Sequence, residues 1–369
     1  MKMVRKGAMT SVCRRSRRGL VAAASLLVLA SVAASSAQAA VPADFIGIDD
    51  PYIANRAARP GAFGAQRAAG IGLVRQAMDM STIEVKKGKY NFADYDNLVR
   101  RAASTGLAVM PVLLRKPKAG ARFYYPPKNA DFARFAKAAA RRYGTKGSFW
   151  KKNRTVPKRP IKSWQLWNEP NLKLYWGNKP SARAYVSLLA AAGKAIKSVE
   201  KRAEIVTAGL PDSRNGIALN RYVAQLYRAG GKRAFDVLAI HGYNKTAAGA
   251  LRKLQSIRKL MNKQGDKGGK LWETEIGWAD TAGADTSGPC LYNVGAAGQA
   301  KQVASMLILV AKNRAKLKLR GLVYYSWRDL TPYPPQNLDT CGLHLGLLNA
   351  DGSAKPALAS FAKAAAQIK

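Results

Sequence analysis

The sequence has few of the residues from which metal centres and several catalytic sites are built. Its 369 residues include only two histidines, His241 and His344, and three cysteines. Two histidines exclude a multi-histidine metal centre. The chain also lacks a G-x-S-x-G serine-nucleophile motif and a G-x-x-x-x-G-K-[ST] phosphate loop. We therefore expect no metal and no cofactor, and only a magnesium site built from carboxylates stays open as an alternative.

Acidic residues are scarce as well. The chain has 21 Asp and Glu against 62 Lys and Arg, which gives a net charge of +41. Positively charged surfaces concentrate anionic partners. No zinc-finger, RNA-binding or helix-turn-helix signature is present, so we expect no specific nucleic-acid partner. An anionic cell-wall polymer or acidic polysaccharide fits this charge, and a solvated lysine surface without a specific partner is the alternative.

The sequence contains only one long apolar run, Leu20 to Ala34, which follows an acid-free segment with seven positive charges. Removing those seven charges leaves +34 on the rest of the chain. The run has the length of a signal-peptide core, and Ala37-Gln38-Ala39 gives a small-x-small cleavage site. We expect a signal peptide over residues 1–39, cleavage after Ala39 or Ala40, and a secreted product without a membrane segment. A retained membrane anchor is the alternative.

Cysteine use fits export. Cys13 lies within the predicted signal peptide, so Cys290 and Cys341 remain. Two cysteines in an exported chain favour a disulfide over free thiols.

Short apolar strands alternate with amphipathic helices through residues 40–369, a pattern typical of parallel βαβ units. The predicted strands lie near residues 46, 73, 110, 166, 207, 238, 274 and 324. Eight such units in about 330 residues predict one domain of the α/β class, a single (β/α)8 TIM barrel.

The most distinctive stretch runs from Ser163 to Asn171 and reads Ser-Trp-Gln-Leu-Trp-Asn-Glu-Pro-Asn. It starts as an apolar strand. Because Pro170 cannot donate to a sheet ladder, we expect the strand to stop at Glu169. Glu169 would then lie at a strand carboxyl end, where barrel enzymes carry their chemistry. A helix-capping or lysine-bridging glutamate is the alternative.

Other predicted strands also end in polar or aromatic residues. The full set is Arg75, Asn168 with Glu169, His241 with Tyr243, Glu275 and Trp327. In a barrel these side chains converge on one cleft. Two opposed carboxylates beside an aromatic residue suit glycoside hydrolysis, because one protonates the leaving oxygen while the other attacks the sugar or activates water.

Two motifs carry a family resemblance. Trp167-Asn168-Glu169-Pro170-Asn171, together with Trp272 to Trp278 (Trp-Glu-Thr-Glu-Ile-Gly-Trp), resembles glycoside hydrolase clan A and, within it, family 39. Supporting stretches are Arg141-Arg142-Tyr143-Gly144, Ser148-Phe149-Trp150 and the segment from Gly342 to Ala357. The resemblance implies a retaining mechanism with Glu169 as acid/base and Glu275 as nucleophile.

The resemblance also implies sugar-binding roles around these glutamates. Asn168 would bind the sugar 2-hydroxyl, Tyr243 and Arg75 would hold the nucleophile, and His241 would line the cleft. Trp327 would form the platform under the sugar, and we place Trp176 in the cleft as well. Glu273 lies two residues before Glu275 on the same strand face and is the alternative nucleophile. We favour Glu275 because it lies nearer the strand end.

We therefore expect a secreted, monomeric, retaining β-glycoside hydrolase that acts on a poly- or oligosaccharide. A carbohydrate-binding or wall-binding barrel without turnover is one alternative. A transglycosylase that uses the same site is another.

Overall fold

Eight parallel strands close into a barrel in the computed structural model. The barrel belongs to the unit Ala39–Lys369. The structure describes residues 40–51, 61–117, 121, 123–282, 290–332 and 340–369. The predicted signal peptide at residues 1–39 lies outside the described residues.

The strands follow the predicted order. They are β1 (Ile46–Asp49), β2 (Leu73–Asp79), β3 (Ala108–Leu114), β4 (Ser163–Leu166), β5 (Glu204–Thr207), β6 (Val237–His241), β7 (Lys270–Ile276) and β8 (Leu319–Tyr325). Each pairs in parallel with its neighbours in sequence, and β1 pairs with β8 in the register Ile46↔Leu322, which closes the ring. The predicted (β/α)8 barrel is confirmed.

A helix follows each strand on the outside. The helices are α1 (Ala62–Ala68), α2 (Ala93–Ser104), α3 (Asn129–Tyr143), α4 (Ala182–Lys197), α5 (Leu219–Arg228), α6 (Ala247–Lys263), α7 (Gly295–Leu317) and α8 (Pro356–Ile368). Their starts are encoded locally. The Ser181 side chain caps α4 by accepting from Ala184 N, and Thr246 caps α6 by accepting from Gly249 N. Such caps satisfy backbone donors that have no partner within the helix.

The loops contain short strands and single helical turns. The strands Glu84–Lys86 and Lys89–Tyr90 form a hairpin, and Leu210–Pro211 pairs with β6. Single helical turns are Met80–Ile83, Ser148–Lys152, Gly231–Arg233 and Cys341–Leu343. The turn at Ser148–Lys152 buries Phe149 and Trp150.

The core has two parts. A large cluster fills the space between the strands and the helices. A separate cluster comes from the strands alone and consists of Leu73, Met110, Val206, Val237, Ala239, Trp272 and Val323. Its composition matches the side-chain layers that fill a barrel interior. The barrel interior is therefore filled by packed side chains, and the candidate site residues lie towards the strand carboxyl ends.

The loops at those carboxyl ends contain the predicted disulfide. Cys290 and Cys341 are bonded, with Cα atoms 5.2 Å apart. Among the described residues, no helix combines the length and the apolarity that crossing a membrane requires.

Candidate active site

The carboxyl ends of the strands bring five polar side chains together. Asp49 ends β1, Arg75 lies in β2, His241 ends β6 and Glu275 is the penultimate residue of β7. Glu169 follows β4. The strand was predicted to continue to Glu169, but it ends at Leu166, and Trp167 and Glu169 have positive φ values of 75° and 44°. This turn, rather than strand pleating, directs the Glu169 side chain.

Glu169, His241 and Glu275 form one cluster. One side-chain oxygen or nitrogen of each lies within 4.8 Å of those of the other two. His241 Nδ1 is 2.7 Å from Glu169 Oε1, and His241 Nε2 is 3.6 Å from Glu275 Oε2. The imidazole is completely buried, whereas the two carboxylates keep 12% and 15% of their side-chain surface exposed. Both carboxylates are therefore held firmly yet remain open to a ligand.

Gly209 makes room for the imidazole of His241. A Cβ at position 209 would lie 1.8 Å from His241 Nε2, so only glycine fits. The carbonyl of Gly209 also accepts a hydrogen bond of 3.2 Å from the backbone N–H of Glu169. One glycine therefore positions both partners of the Glu169–His241 pair.

Arg75 donates hydrogen bonds to Glu275 and to three other side chains. Its guanidinium donates to Asp49 Oδ2 at 2.5 Å, Gln165 Oε1 at 2.7 Å, Asn168 Oδ1 at 2.9 Å and Glu275 Oε2 at 3.1 Å. Four fixed acceptors hold the planar fork of the guanidinium in one orientation. Because Arg75 engages the amide oxygen of Asn168, the amide nitrogen is turned to donate elsewhere.

The pKa values of Glu169 and Glu275 are shifted in opposite directions. Burial alone would raise the pKa of Glu275, but the positive field of His241 and Arg75 and a 2.9 Å hydrogen bond from Tyr243 lower it below its usual value. Burial raises the pKa of Glu169, and the hydrogen bond from His241 offsets this only in part. Opposed shifts in a carboxylate pair separate a protonated acid from an ionised base.

Asp49, Gln165 and Gly209 were not singled out from the sequence. Burial raises the pKa of Asp49 to about 6, even though Arg75 contacts it. Gln165 is fully buried, and its amide nitrogen donates to the Thr207 carbonyl at 3.1 Å. These partners become evident only when the alignment of neighbouring strands in the barrel is known. A single sequence does not give that alignment.

Glu273 is separated from the pair. It is fully buried, its Oε1 accepts from Gly242 N at 2.8 Å, and among the described residues its Oε2 has no hydrogen-bond partner. Burial raises its pKa well above the usual value. The structure therefore places Glu275, and not Glu273, beside Glu169.

Two of the predicted sugar-contacting tryptophans are largely buried. Trp176 is 7% exposed and packs edge-to-face on Trp167 and Tyr185, with ring centroids 5.8 Å apart in both pairs. Trp327 is 5% exposed and belongs to the main core cluster. Tyr325 at the end of β8 was not singled out from the sequence. Burial, with a smaller contribution from the nearby Glu275 and Asp49, raises its pKa well above the usual value. Contact of either tryptophan with a sugar stays a prediction.

A groove leads away from Tyr243 along one side of the barrel mouth. Its volume is about 1300 Å³. The residues that line it include Asp212, Arg214, Arg221, Lys245, Lys253 and Tyr292. The Tyr292 ring packs against Tyr243 with centroids 5.2 Å apart. The groove offers aromatic and cationic surface next to Glu275.

The spacing of Glu169, His241 and Glu275 would also allow them to ligate one metal ion. Two contacts disfavour this use. The Arg75 guanidinium occupies an oxygen of Glu275, and His241 Nδ1 is engaged with Glu169. A cation would have to displace the first contact and would be repelled by Arg75.

Comparison with known proteins shows which solved structures share this fold. No family model matches the sequence, and no curated protein matches it. The chain shares its fold with glycoside hydrolases. A family 39 glycoside hydrolase from the gut symbiont Bacteroides cellulosilyticus WH2 superposes with a TM-score of 0.63 at 19% identity over 89% of this chain.

Two further solved structures extend the likeness. A glucosidase from Croceicoccus marinus superposes with a TM-score of 0.68 at 14% identity, over 88% of this chain and 68% of its own. The GH53 catalytic domain of Ignisphaera aggregans superposes at 0.58 and 17% identity, over 88% of this chain and 97% of its own. The chain spans only 64% of the length of the family 39 structure. At these identities the likeness establishes the fold.

Proposed function

We propose that the protein is a retaining β-glycoside hydrolase of the clan A type, related to family 39. The observation that carries the proposal is the Glu169–Glu275 pair, whose oxygens lie within 4.8 Å at the mouth of the barrel. Retaining glycosidases hold their carboxyl groups about 5–5.5 Å apart, whereas inverting ones keep about 6.5–9.5 Å to admit water. The opposed pKa shifts and the glycosidase fold support the same assignment.

The reaction proceeds in two displacements. Ionised Glu275 attacks the anomeric carbon while the bond to the leaving oxygen breaks and Glu169 donates its proton to that oxygen. Glu169 then takes a proton from water, whose oxygen attacks the same carbon and releases Glu275. Two inversions leave the product with the configuration of the substrate.

Neighbouring residues set the charge and the geometry for these steps. Arg75 and Tyr243 keep Glu275 ionised and aimed, and His241 holds Glu169 at 2.7 Å. We assign the amide nitrogen of Asn168 to the sugar 2-hydroxyl, because the amide oxygen is already engaged by Arg75. Hydrogen bonds of this kind strengthen as charge develops on the sugar in the transition state.

Azide trapping tests the two roles separately. Wild type, Glu275→Ala, Glu169→Ala and the control Glu273→Gln are assayed on a panel of aryl β-glycosides. Azide in place of Glu275 forms an α-glycosyl azide, whereas azide in place of the second-step water in Glu169→Ala forms a β-glycosyl azide. Glu273→Gln should turn over normally. Full activity of Glu275→Ala together with loss in Glu273→Gln would overturn the assignment, and glycan binding without cleavage by the wild type would favour a binding module.

We further propose that the enzyme is secreted after removal of residues 1–39. The charged start, apolar run and Ala-Gln-Ala site support this, and the disulfide fits an oxidising compartment. Amino-terminal sequencing of protein from the culture medium should begin at Ala40 or Val41. A first residue within the apolar run or upstream of it would contradict the proposal.

A further inference from the structure

A second cavity lies at the opposite end of the barrel from the glutamate pair. It has a volume of about 430 Å³. Leu73, Ala108 and Ser163 line it, and they are the first residues of β2, β3 and β4. Glu275 and His241 lie at the carboxyl ends of their strands. The cavity is therefore a separate site.

Charge sets this cavity apart. Its lining includes five basic residues, Arg67, Lys158, Arg159, Lys162 and Arg320, and one acid, Asp44. Arg320 is neutralised, because it pairs with Asp44 at 2.7 Å and with Glu204 at 3.1 Å. Within the part of the chain that the structure describes, no carboxylate pairs with the other four. The cavity therefore keeps four uncompensated positive charges in a concave surface.

Two of the guanidinium groups converge. Gly106 follows α2 with φ +79°, and a Cβ built on it would be 3.5 Å from Arg159 Nη2 and 3.8 Å from Arg67 Nε. A 3.5 Å hydrogen bond to the Ile71 carbonyl orients the Arg67 side chain. Burial and the charge of Arg67 lower the pKa of Lys369 nearby. Like charges so arranged repel one another until an anion lies between them.

We propose that this cavity binds a tetrahedral oxyanion, a phosphate or sulfate ester, carried by a polymer. The planar donor fork of arginine matches such oxyanions in two hydrogen bonds, and the lysines add point charge. A tetrahedral ester group presents more oxygen acceptors to these donors than the two oxygens of a carboxylate. Binding here would hold the protein on an anionic polymer while the catalytic mouth stays free for substrate.

Calorimetric titration of the chain from residue 40 onward with inorganic phosphate, sulfate and glucuronate at low ionic strength tests the site. The test variant is Arg67→Gln/Arg159→Gln. The control is Arg233→Gln/Arg252→Gln, which removes the same charge from exposed positions outside the cavity. Charge-assisted hydrogen bonds are worth about 1.5–3 kcal/mol each, so the test variant should bind phosphate or sulfate at least about tenfold more weakly. The control should stay within about twofold, because Arg233 and Arg252 do not line the cavity and so donate no hydrogen bond to an anion inside it.

Three results would overturn the proposal. One is an equal loss in both variants, which would mean that net charge alone attracts the anion. The second is glucuronate binding as tightly as phosphate and sulfate. The third is no binding of any of the three anions. A second variant, Lys158→Gln/Lys162→Gln, changes only exposed lysines and keeps the test valid if the arginine pair fails to fold.

A second experiment, on immobilised polymers, identifies whether the oxyanion is a sulfate or a phosphate ester. Retention on immobilised dextran sulfate is compared with retention on a phosphodiester polymer such as a teichoic acid, and the preferred polymer should lose retention in the test variant only. Hydrolysis of a neutral aryl glycoside should be unchanged in every cavity variant. Failure of anion binding would therefore leave the proposed glycosidase function standing, and the converse also holds.

Discussion

The guanidinium of Arg75 lies 3.1 Å from the carboxylate of Glu275 and is itself only 4% exposed. Removing this charge in Arg75→Gln should raise the pKa of Glu275, because the cation that favours the ionised form is lost. The acidic limb of the pH profile of kcat/KM should therefore move to higher pH. We expect kcat/KM to drop at least about 100-fold, since hydrogen bonds to Glu275 and Asn168 are lost at about 1.5–3 kcal/mol each.

Arg75→Lys separates charge from geometry. It keeps the cation but cannot serve four acceptors, so the acidic limb should move less than in Arg75→Gln while kcat still falls. Arg75→Gln should also lower the free energy of unfolding by about 3 kcal/mol, because Asp49 loses its buried partner. Urea unfolding and the pH profile of kcat/KM check these effects. An unmoved acidic limb in Arg75→Gln would rule out control of Glu275 by Arg75.

Tyr243→Phe isolates one hydrogen bond to Glu275, the proposed nucleophile. Tyr243 donates to Glu275 Oε1 at 2.9 Å and helps to lower the pKa of Glu275. Its loss should move the acidic limb of kcat/KM to higher pH, because Glu275 then becomes protonated at a higher pH. The alkaline limb reports Glu169 and should stay in place. A shift of both limbs, or of the alkaline limb alone, would contradict these assignments.

Glu169→Gln should show a dependence on the leaving group. The raised pKa of Glu169 keeps its proton available for donation, and the glutamine has none to donate. A 2,4-dinitrophenolate leaves without protonation, whereas a phenolate or an alcohol needs it. General acid catalysis contributes about 10²–10⁴-fold, so we expect a loss of that size for phenyl glycosides and a much smaller one for dinitrophenyl glycosides. Equal losses for both substrates would assign Glu169 another role.

The site divides into residues that a single sequence reveals and residues that it does not. Glu169 and Glu275 were predicted because strand ends are legible from the apolar runs and from Pro170. Asp49 and Gln165 were not, because each is an ordinary strand residue until barrel closure brings it to Arg75. Trp176 was placed in the cleft because it lies in the loop after the fourth strand, and that placement stays a prediction. Its packing on Trp167 and Tyr185 depends on a loop path that no local pattern encodes.

The fold also has features that the sequence predicts and features that it does not. Strand positions and their alternation with helices were predicted because apolar periodicity reflects burial. The end of β4 was misplaced because the positive φ of Trp167 and Glu169 is imposed by tertiary contacts, in residues that rarely adopt it. Departures from local preference of this kind concentrate at functional sites.

Glu273→Gln should be tolerated and should alter the pH dependence of stability. Burial raises the pKa of Glu273 well above its usual value, so the folded protein holds a proton that the unfolded chain releases above about pH 4.5. The wild type therefore loses stability as pH rises from there towards the folded pKa. It should lose up to about 1.4 kcal/mol per pH unit relative to the glutamine variant. Thermal unfolding between pH 5 and pH 8 checks this, and a constant difference would show that Glu273 does not change protonation on folding.

Reduction of the Cys290–Cys341 disulfide should lower stability more than activity. The bond closes a loop with a sequence separation of 51, and bonds across loops of this size stabilise by about 2–4 kcal/mol, chiefly by constraining the unfolded chain. Within the part of the chain that the structure describes, neither cysteine makes a hydrogen bond or an ion pair with Glu169 or Glu275. Cys290→Ser/Cys341→Ser should therefore unfold at lower urea concentration but keep most of its kcat. A large loss of kcat at unchanged urea midpoint would mean instead that the bond shapes the catalytic mouth.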